Sequence, residues 1–136
     1  DNYVIHVAYA QLLEETDKEK SVEIYKKATE IDPDKPFAWF NLGALYVNRG
    51  VVLYNEANEV EGDMAKANEM QEQANDYYEM AIPYLQRAQE IEPCDRNTLT
   101  ALKNIAINLS TRDADGYEEK YTKMYKKYSD IEKGCK

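Results

Sequence analysis

The stretch AWFNLGALY, residues 38–46, decides the fold of this chain. Trp39 is followed by Leu42, Gly43 and Tyr46 at offsets of three, four and seven residues, which places these side chains on one face of a helix. A glycine inside a helix costs about 1 kcal/mol relative to alanine. The pattern therefore predicts that a second helix approaches closely at Gly43 and offsets this cost.

Two segments of the chain share one pattern. SVEIYKKATEIDP, residues 21–33, is matched by AIPYLQRAQEIEP, residues 81–93. Along one helical face, both segments place a small residue, a large one four positions later, a small one seven positions later and an apolar one ten positions later. Each segment ends in a proline that stops the helix. The residues beyond also match, because Trp39 and Leu99 each lie six positions after the proline. The chain thus repeats a unit of two helices.

These residues resemble the tetratricopeptide repeat family, whose pattern is W-x2-L-G-x2-Y on a first helix, then A-x3-F-x2-A and a proline on a second. Residues 39–46 match the first part, and residues 81–93 match the second with Leu85 in place of the aromatic. The resemblance implies an all-α, right-handed α-solenoid of three helix–turn–helix repeats. It implies a single domain, 1–136, with approximate repeats 1–34, 35–94 and 95–132.

The middle repeat is longer than the family pattern. Gly43 and Ala81 are 38 residues apart, which exceeds the family spacing by about 26 residues. The extra residues keep helical apolar spacing, and Gly62 followed by Asp63 predicts the end of one helix and the cap of the next. Each helix of this hairpin is therefore expected to gain about 13 residues, or roughly 20 Å, and to protrude beyond its neighbours.

Local signals set the predicted helix boundaries. Thr16 and Glu19 form a capping box, Pro36 suits a first turn, and Asp115 begins the last helix. In the first helix, either Ala8 or Ala10 takes the place of Gly43. The predicted helices run over about 2–14, 16–32, 36–60, 64–92, 96–110 and 115–132.

The charge of the chain is concentrated in one segment. The net charge is −9, and residues 51–80 carry eight acids and one lysine, which leaves −2 for the other 106 residues. This balance argues against a nucleic-acid partner. No apolar run approaches the roughly 18 residues of a membrane span, so membrane insertion is not expected. Because the acidic segment lacks a calcium-loop pattern, a solvated face is favoured over a metal site.

Catalytic motifs are absent from the sequence. His6 is the only histidine and lies on a mostly apolar predicted helix, where a structural role is favoured over a catalytic one. Dinucleotide-binding, phosphate-binding and zinc-protease patterns are missing. The sequence therefore predicts a protein that is not an enzyme and has no cofactor or metal.

Cys94 and Cys135 are the only cysteines, and they form no C-x-x-C pair. Two free thiols are favoured, and a disulfide is the alternative if the protein is exported. Chains that resemble this one, with an elongated hairpin, occur among exported bacterial proteins, so the resemblance implies a periplasmic or envelope setting.

The resemblance also implies a concave groove, lined by the first helix of each repeat, that binds a protein or peptide. Carboxamide side chains both donate and accept hydrogen bonds, so a row of them suits the backbone of an extended peptide. An ordinary polar face is equally compatible with the pattern. The groove-facing residues implied by the resemblance are Phe37, Phe40, Asn41, Ala44, Asn48, Asn97, Thr100, Asn104 and Asn108.

One subfamily of these repeats grips the C-terminal carboxylate of chaperone tails with an Asn, a Lys and an Arg. Asn41 matches the Asn, but Asn97 and Ala101 occupy the other two places. This chain is therefore not expected to be a chaperone-tail receptor.

Two function classes stay open from the sequence. The first is a protein-interaction module acting through the groove. The second is a self-assembly element that forms homo-oligomers through the acidic hairpin or through the last helix, since tyrosine is enriched at interfaces. The tyrosines of that helix, which alternatively seal the core, are Tyr117, Tyr121, Tyr125 and Tyr128.

Overall fold

The computed structural model of the chain describes residues 1–135, which contain six α-helices and no β-strand. Lys136, the last residue of the predicted domain 1–136, lies outside the described residues. The all-α class is confirmed, and consecutive helices pack against each other in pairs. The helices are α1 (Asn2–Leu13), α2 (Lys18–Ile31), α3 (Pro36–Glu59), α4 (Met64–Ile91), α5 (Arg96–Ser110) and α6 (Tyr117–Gly134).

The start of α2 differs from the prediction. The side chain of Asp17 accepts a hydrogen bond from the backbone N–H of Lys20 at 3.1 Å, so Asp17 is the cap. The predicted capping box of Thr16 and Glu19 is wrong. Aspartate caps a helix as well as serine or threonine does, and it stands one residue closer to the first turn.

The boundary inside the long hairpin is confirmed. Asp63 caps α4 by accepting from the N–H of Lys66 at 2.9 Å, and Gly62 before it has a φ of +76°. The start of α6 was predicted wrongly at Asp115. The helix begins at Tyr117 after Gly116, whose φ of +80° lies in the left-handed region that glycine adopts readily.

Helices α3 and α4 form a close antiparallel hairpin. A β-carbon placed on Gly43 would lie 2.5 Å from Leu85 Cγ, and one on Gly50 would lie 2.6 Å from a ring carbon of Tyr78. The close helix approach predicted at Gly43 is therefore confirmed, and it recurs seven residues further on. Small residues on both helices continue this seam, namely Ala57, Ala74 and Ala81, all buried.

The burial pattern supports the internal repeat. Tyr25 of α2 and Leu85 of α4, which occupy equivalent positions, are both fully buried. Ile31, the apolar residue that ends the repeated pattern in this segment, is 44% exposed and is the last residue of α2. In α1 the buried alanine is Ala10, whose carbonyl accepts from the Ser21 hydroxyl at 2.8 Å, whereas Ala8 is exposed.

The core consists of two clusters. One joins α1, α2 and α3, the other joins α4, α5 and α6, and Tyr46 packs against both. The chain is therefore continuous in its packing from the first helix to the last. Within the second cluster, Tyr121 and Tyr128 of α6 are almost fully buried, whereas Tyr125 is exposed. These two tyrosines support the interpretation that α6 seals the core.

The two cysteines are joined in a disulfide. Cys94 lies just before α5 and Cys135 just after α6, and their Cα atoms are 5.6 Å apart. The expectation of two free thiols is wrong. The packing of α6 against α5 brings the two sulfurs together, and this packing is not visible in the spacing of the cysteines.

Candidate functional site

A groove lies between α3 and α5, and its middle part is a recess of about 640 Å³ that we call the central recess. Apolar side chains from α3 and α5 line much of it, and carboxamides stand among them. The lining residues are Phe40, Val47, Val51, Tyr78, Arg96, Asn97, Thr100, Ala101, Asn104, Ile105, Ile107 and Asn108.

A smaller recess of about 280 Å³ adjoins the first turns of α3 and α5, and we call it the end recess. It shares Phe40 and Asn97 with the central recess, so the two are continuous. Two carboxylates border it. Its lining residues are Pro36, Phe37, Phe40, Asn41, Glu92, Asp95, Asn97 and Thr98.

A third recess, of about 560 Å³, lies between the long α3–α4 hairpin and the loop after α5, and we call it the hairpin recess. It shares Tyr78 and Asn108 with the central recess. This recess was not predicted from the sequence. Its lining residues are Tyr54, Asn68, Gln71, Glu72, Asn75, Tyr78, Asn108, Thr111, Arg112 and Asp113.

Seven of the nine residues expected in the groove line the central or end recess. Ala44 and Asn48 line none of the three recesses. The stripe of α3 that faces the recesses runs instead through Val47, Val51 and Tyr54. The signal for this stripe was present in the sequence, because apolar residues at these spacings lie along one helical face.

The polar side chains of the groove are mostly available to a ligand. Thr100, Asn104 and Asn108 of α5 are exposed and four residues apart, so they form one row. Asn41 is half-buried, and its side-chain N–H donates to the carbonyl of Phe37 at 2.8 Å. The row on α5 therefore offers both donors and acceptors at the surface of the groove.

Arg112, in the loop between α5 and α6, binds the acidic face of α4. Its Nη2 lies 2.6 Å from a carboxylate oxygen of Glu72 and 3.2 Å from one of Asp76, and its Nη1 pairs with Glu79. The hydroxyl of Tyr117 also donates to Glu79, at 2.8 Å. Part of the acidic hairpin is thus held against the loop after α5.

The carboxylates keep Arg112 charged. Burial lowers the pKa of Arg112, but the hydrogen bond and charge of Glu72 and the hydrogen bond to Asp76 outweigh this effect and raise the pKa above its usual value. The hydrogen bond to Glu79, together with burial, raises the pKa of Tyr117. Arg112 is therefore a permanent cation that is engaged with α4.

Replacing Arg112 with alanine is expected to lower the free energy of unfolding by about 2 kcal/mol, because hydrogen bonds to charged groups are lost and three carboxylates then repel each other. Urea denaturation measures this change. Lys123→Ala, which removes an ion pair that is 75% exposed on both sides, should leave the unfolding free energy nearly unchanged. Equal effects of the two substitutions would contradict a stabilising role for Arg112.

His6 and the acidic side chains are the other residues that were considered for chemistry from the sequence. His6 is half-buried, and its Nδ1 lies 2.7 Å from the backbone carbonyl of Asn2. Residues 1–135 contain no group of three or more His, Cys, Asp or Glu side chains placed to hold a metal ion. None of the described helices has an apolar stretch long enough to cross a bilayer.

Trp39 and Tyr46, from the stretch 38–46, lie where α3 packs against α4. The ring of Tyr84 stacks on Tyr46 with centroids 5.6 Å apart and on Trp39 at 6.3 Å. A family model of the TPR repeat matches residues 17–50, which comprise α2 and the first part of α3. Residues 17–50 are therefore similar to a tetratricopeptide repeat. Neither a curated protein nor a solved structure matches the chain.

The tetratricopeptide repeat match ends at Gly50, where the elongated part of the hairpin begins. Helices α3 and α4 have 24 and 28 residues, against 15 in α5, so the elongation of the middle hairpin is confirmed. Tetratricopeptide repeats generally mediate protein–protein interactions and are typically not enzymes.

Proposed function

We propose that this chain is a non-enzymatic interaction module that binds an extended segment of a protein or peptide partner in the groove between α3 and α5. The observation that carries the proposal is the central recess, where apolar side chains stand beside a row of exposed carboxamides. The apolar surface supplies binding free energy through burial. The carboxamides pair with backbone N–H and C=O groups, which every peptide presents.

The domain organisation and the setting are part of the same proposal. A single domain with repeats over 1–34, 35–94 and 95–132 is consistent with pairing of α1 with α2, α3 with α4, and α5 with α6. The disulfide supports an exported protein, because disulfides persist in oxidising compartments.

Self-assembly is the alternative function. Two features of the chain weigh against it. Tyr121 and Tyr128 of α6 are buried in the core and are not available to a second copy. Residues 51–80 carry a net charge of −7, so two hairpins would repel each other. Sedimentation analysis of the folded chain is expected to show a monomer; a stable oligomer would favour the alternative.

A phage-displayed library of random twelve-residue peptides tests groove binding. The strongest selected peptide, labelled with a fluorophore, is titrated with the wild-type chain and with variants. Asn104→Ala is expected to weaken binding about fivefold to tenfold, since a hydrogen bond contributes about 1 kcal/mol. Asn48→Ala is the matched control, because Asn48 is an exposed asparagine on α3 outside the recesses.

Two results would overturn the proposal. One is a library that yields no binding peptide under conditions where the chain is folded by circular dichroism. The other is a selected peptide whose affinity falls equally with Asn104→Ala and Asn48→Ala, or with neither.

A further inference from the structure

We infer that the face of the α3–α4 hairpin that lines the hairpin recess forms the second half of the binding groove. The complete groove then binds a basic, extended polypeptide segment. This inference rests on the proposed function and adds to it both a surface and the charge of the partner. The hairpin is then a wall of the site and has a role beyond that of a solvated arm.

The recesses form one continuous surface. The central and hairpin recesses share Tyr78 and Asn108, and the central and end recesses share Phe40 and Asn97. Tyr78 is only 4% exposed and packs against Gly50, so the junction between the α3–α5 groove and the hairpin is a packed part of the core. The two recesses therefore adjoin at Tyr78 and Asn108, next to a packed part of the hairpin.

The hairpin recess continues the chemistry of the α5 row. Asn68, Gln71 and Asn75 lie at offsets of three and seven residues along α4, on one face of the helix. They span about 10 Å along α4, which corresponds to roughly three residues of an extended chain. Because each carboxamide both donates and accepts, this surface suits a peptide backbone as the row on α5 does.

The wall opposite these carboxamides is held in place. Thr111 and Arg112 belong to the loop after α5, and Arg112 binds Glu72 and Asp76 of α4. This contact fixes the width of the hairpin recess before any ligand arrives. Preorganisation of this kind reduces the ordering cost of binding.

The charge around the groove selects a basic partner. Four acids border the three recesses, and the only lysine or arginine side chains among the described lining residues are Arg96 and Arg112, the second of which is engaged with carboxylates. Glu92 at one end and Asp113 at the other form no ion pair among residues 1–135. Residues 51–80, which include Glu72, carry a net charge of −7 in total. Complementary charge favours a partner with Lys or Arg residues and steers its approach.

The test uses the peptide selected against the wild-type chain. The double variant Gln71→Ala/Asn75→Ala is expected to weaken its binding at least tenfold. Gln73→Ala is the matched control, because it removes a carboxamide from the same helix at an exposed position outside the recess, and it should change affinity less than twofold. Circular dichroism and thermal melting confirm that each variant is folded.

The charge of the partner is tested with the same peptide. The selected peptides are expected to carry net positive charge, and raising NaCl from about 50 to 500 mM should weaken binding because exposed charges are screened. Replacing the Lys and Arg residues of the peptide with Glu should abolish binding. Neutral or acidic selected peptides, or affinity that does not change with salt, would overturn a basic partner.

The outcomes separate this inference from the proposed function. If Asn104→Ala weakens binding and Gln71→Ala/Asn75→Ala does not, the hairpin is no part of the groove, and the α3–α5 site stands. If both weaken binding and Gln73→Ala does not, the hairpin surface is supported. If neither affects the selected peptide, both proposals fall. If the wild-type chain binds no peptide but binds a glycan array, and the double variant abolishes that binding, the ligand is a carbohydrate and the basic peptide is overturned.

Discussion

Replacing both cysteines with serine is expected to lower the free energy of unfolding by about 4 kcal/mol, in the chain-entropy account of disulfides. The bond between Cys94 and Cys135 closes a loop with a sequence separation of 41 residues. Without it the unfolded chain gains conformational freedom, while α5 and α6 keep their packed contacts. Urea denaturation of the wild type and of Cys94→Ser/Cys135→Ser, fitted with a common slope, measures the difference.

Reduction supplies the control for this experiment. Dithiothreitol should destabilise the wild-type chain by a similar amount and leave the double serine variant unchanged. A wild-type chain whose stability is the same with and without reductant would contradict the disulfide, and so would free thiols detected in the unfolded, unreduced protein.

Replacing Gly43 with leucine is expected to cost about 3 kcal/mol, at the upper end of the usual range for overpacking a core. A β-carbon at this position would lie 2.5 Å from Cγ and 2.7 Å from Cδ2 of Leu85, and the carbonyl oxygen of Ala81 would be 3.4 Å away. Leu85 is fully buried, so its side chain has no open space into which to move. Thermal and urea unfolding both report the loss.

Two variants identify the cause of this loss. Gly134→Leu places the same side chain in another helix at a glycine with no atom within 4 Å of the added β-carbon, so it should change stability by less than about 0.5 kcal/mol. Leu85→Ala is expected to reduce the additional cost of Gly43→Leu, because it removes the atoms that clash. Equal destabilisation by the two glycine substitutions would mean that α4 does not approach α3 closely at Gly43.

The long hairpin changes how the acidic segment is interpreted. From sequence, residues 51–80 are expected to form a protruding solvated face. In the structure, Arg112 in the loop after α5 binds Glu72 and Asp76 of α4. The hairpin recess, which is partly lined by carboxamides, adjoins this contact. Glu72, Asp76 and Glu79 of the hairpin are thus paired with Arg112, and in our proposal the other acids attract a basic partner.

The sequence by itself determined the helices and the seam between α3 and α4. Periodicity of apolar residues and short-range caps act within a few residues, so they can be read along the chain. The spacing of Trp39, Leu42, Gly43 and Tyr46 was therefore enough to predict the close hairpin. Local signals failed at two helix starts, where Asp17 and not Thr16 caps α2 and where α6 begins after Gly116 and not at Asp115.

Only the tertiary structure decided the pairing of the cysteines, the contact of Arg112 with α4, and the recess on the hairpin. Cys94 and Cys135 are 41 residues apart, and Arg112 reaches acids 33 to 40 residues before it. Such contacts depend on how helices rotate and stack on one another, which no single helical pattern specifies. The groove shows the same limit. Of the nine residues predicted to line it, seven line the recesses and Ala44 and Asn48 of α3 do not. Val47 and Val51 of α3 line the central recess in their place, because the rotation of α3 is set by its packing against α4 and α5.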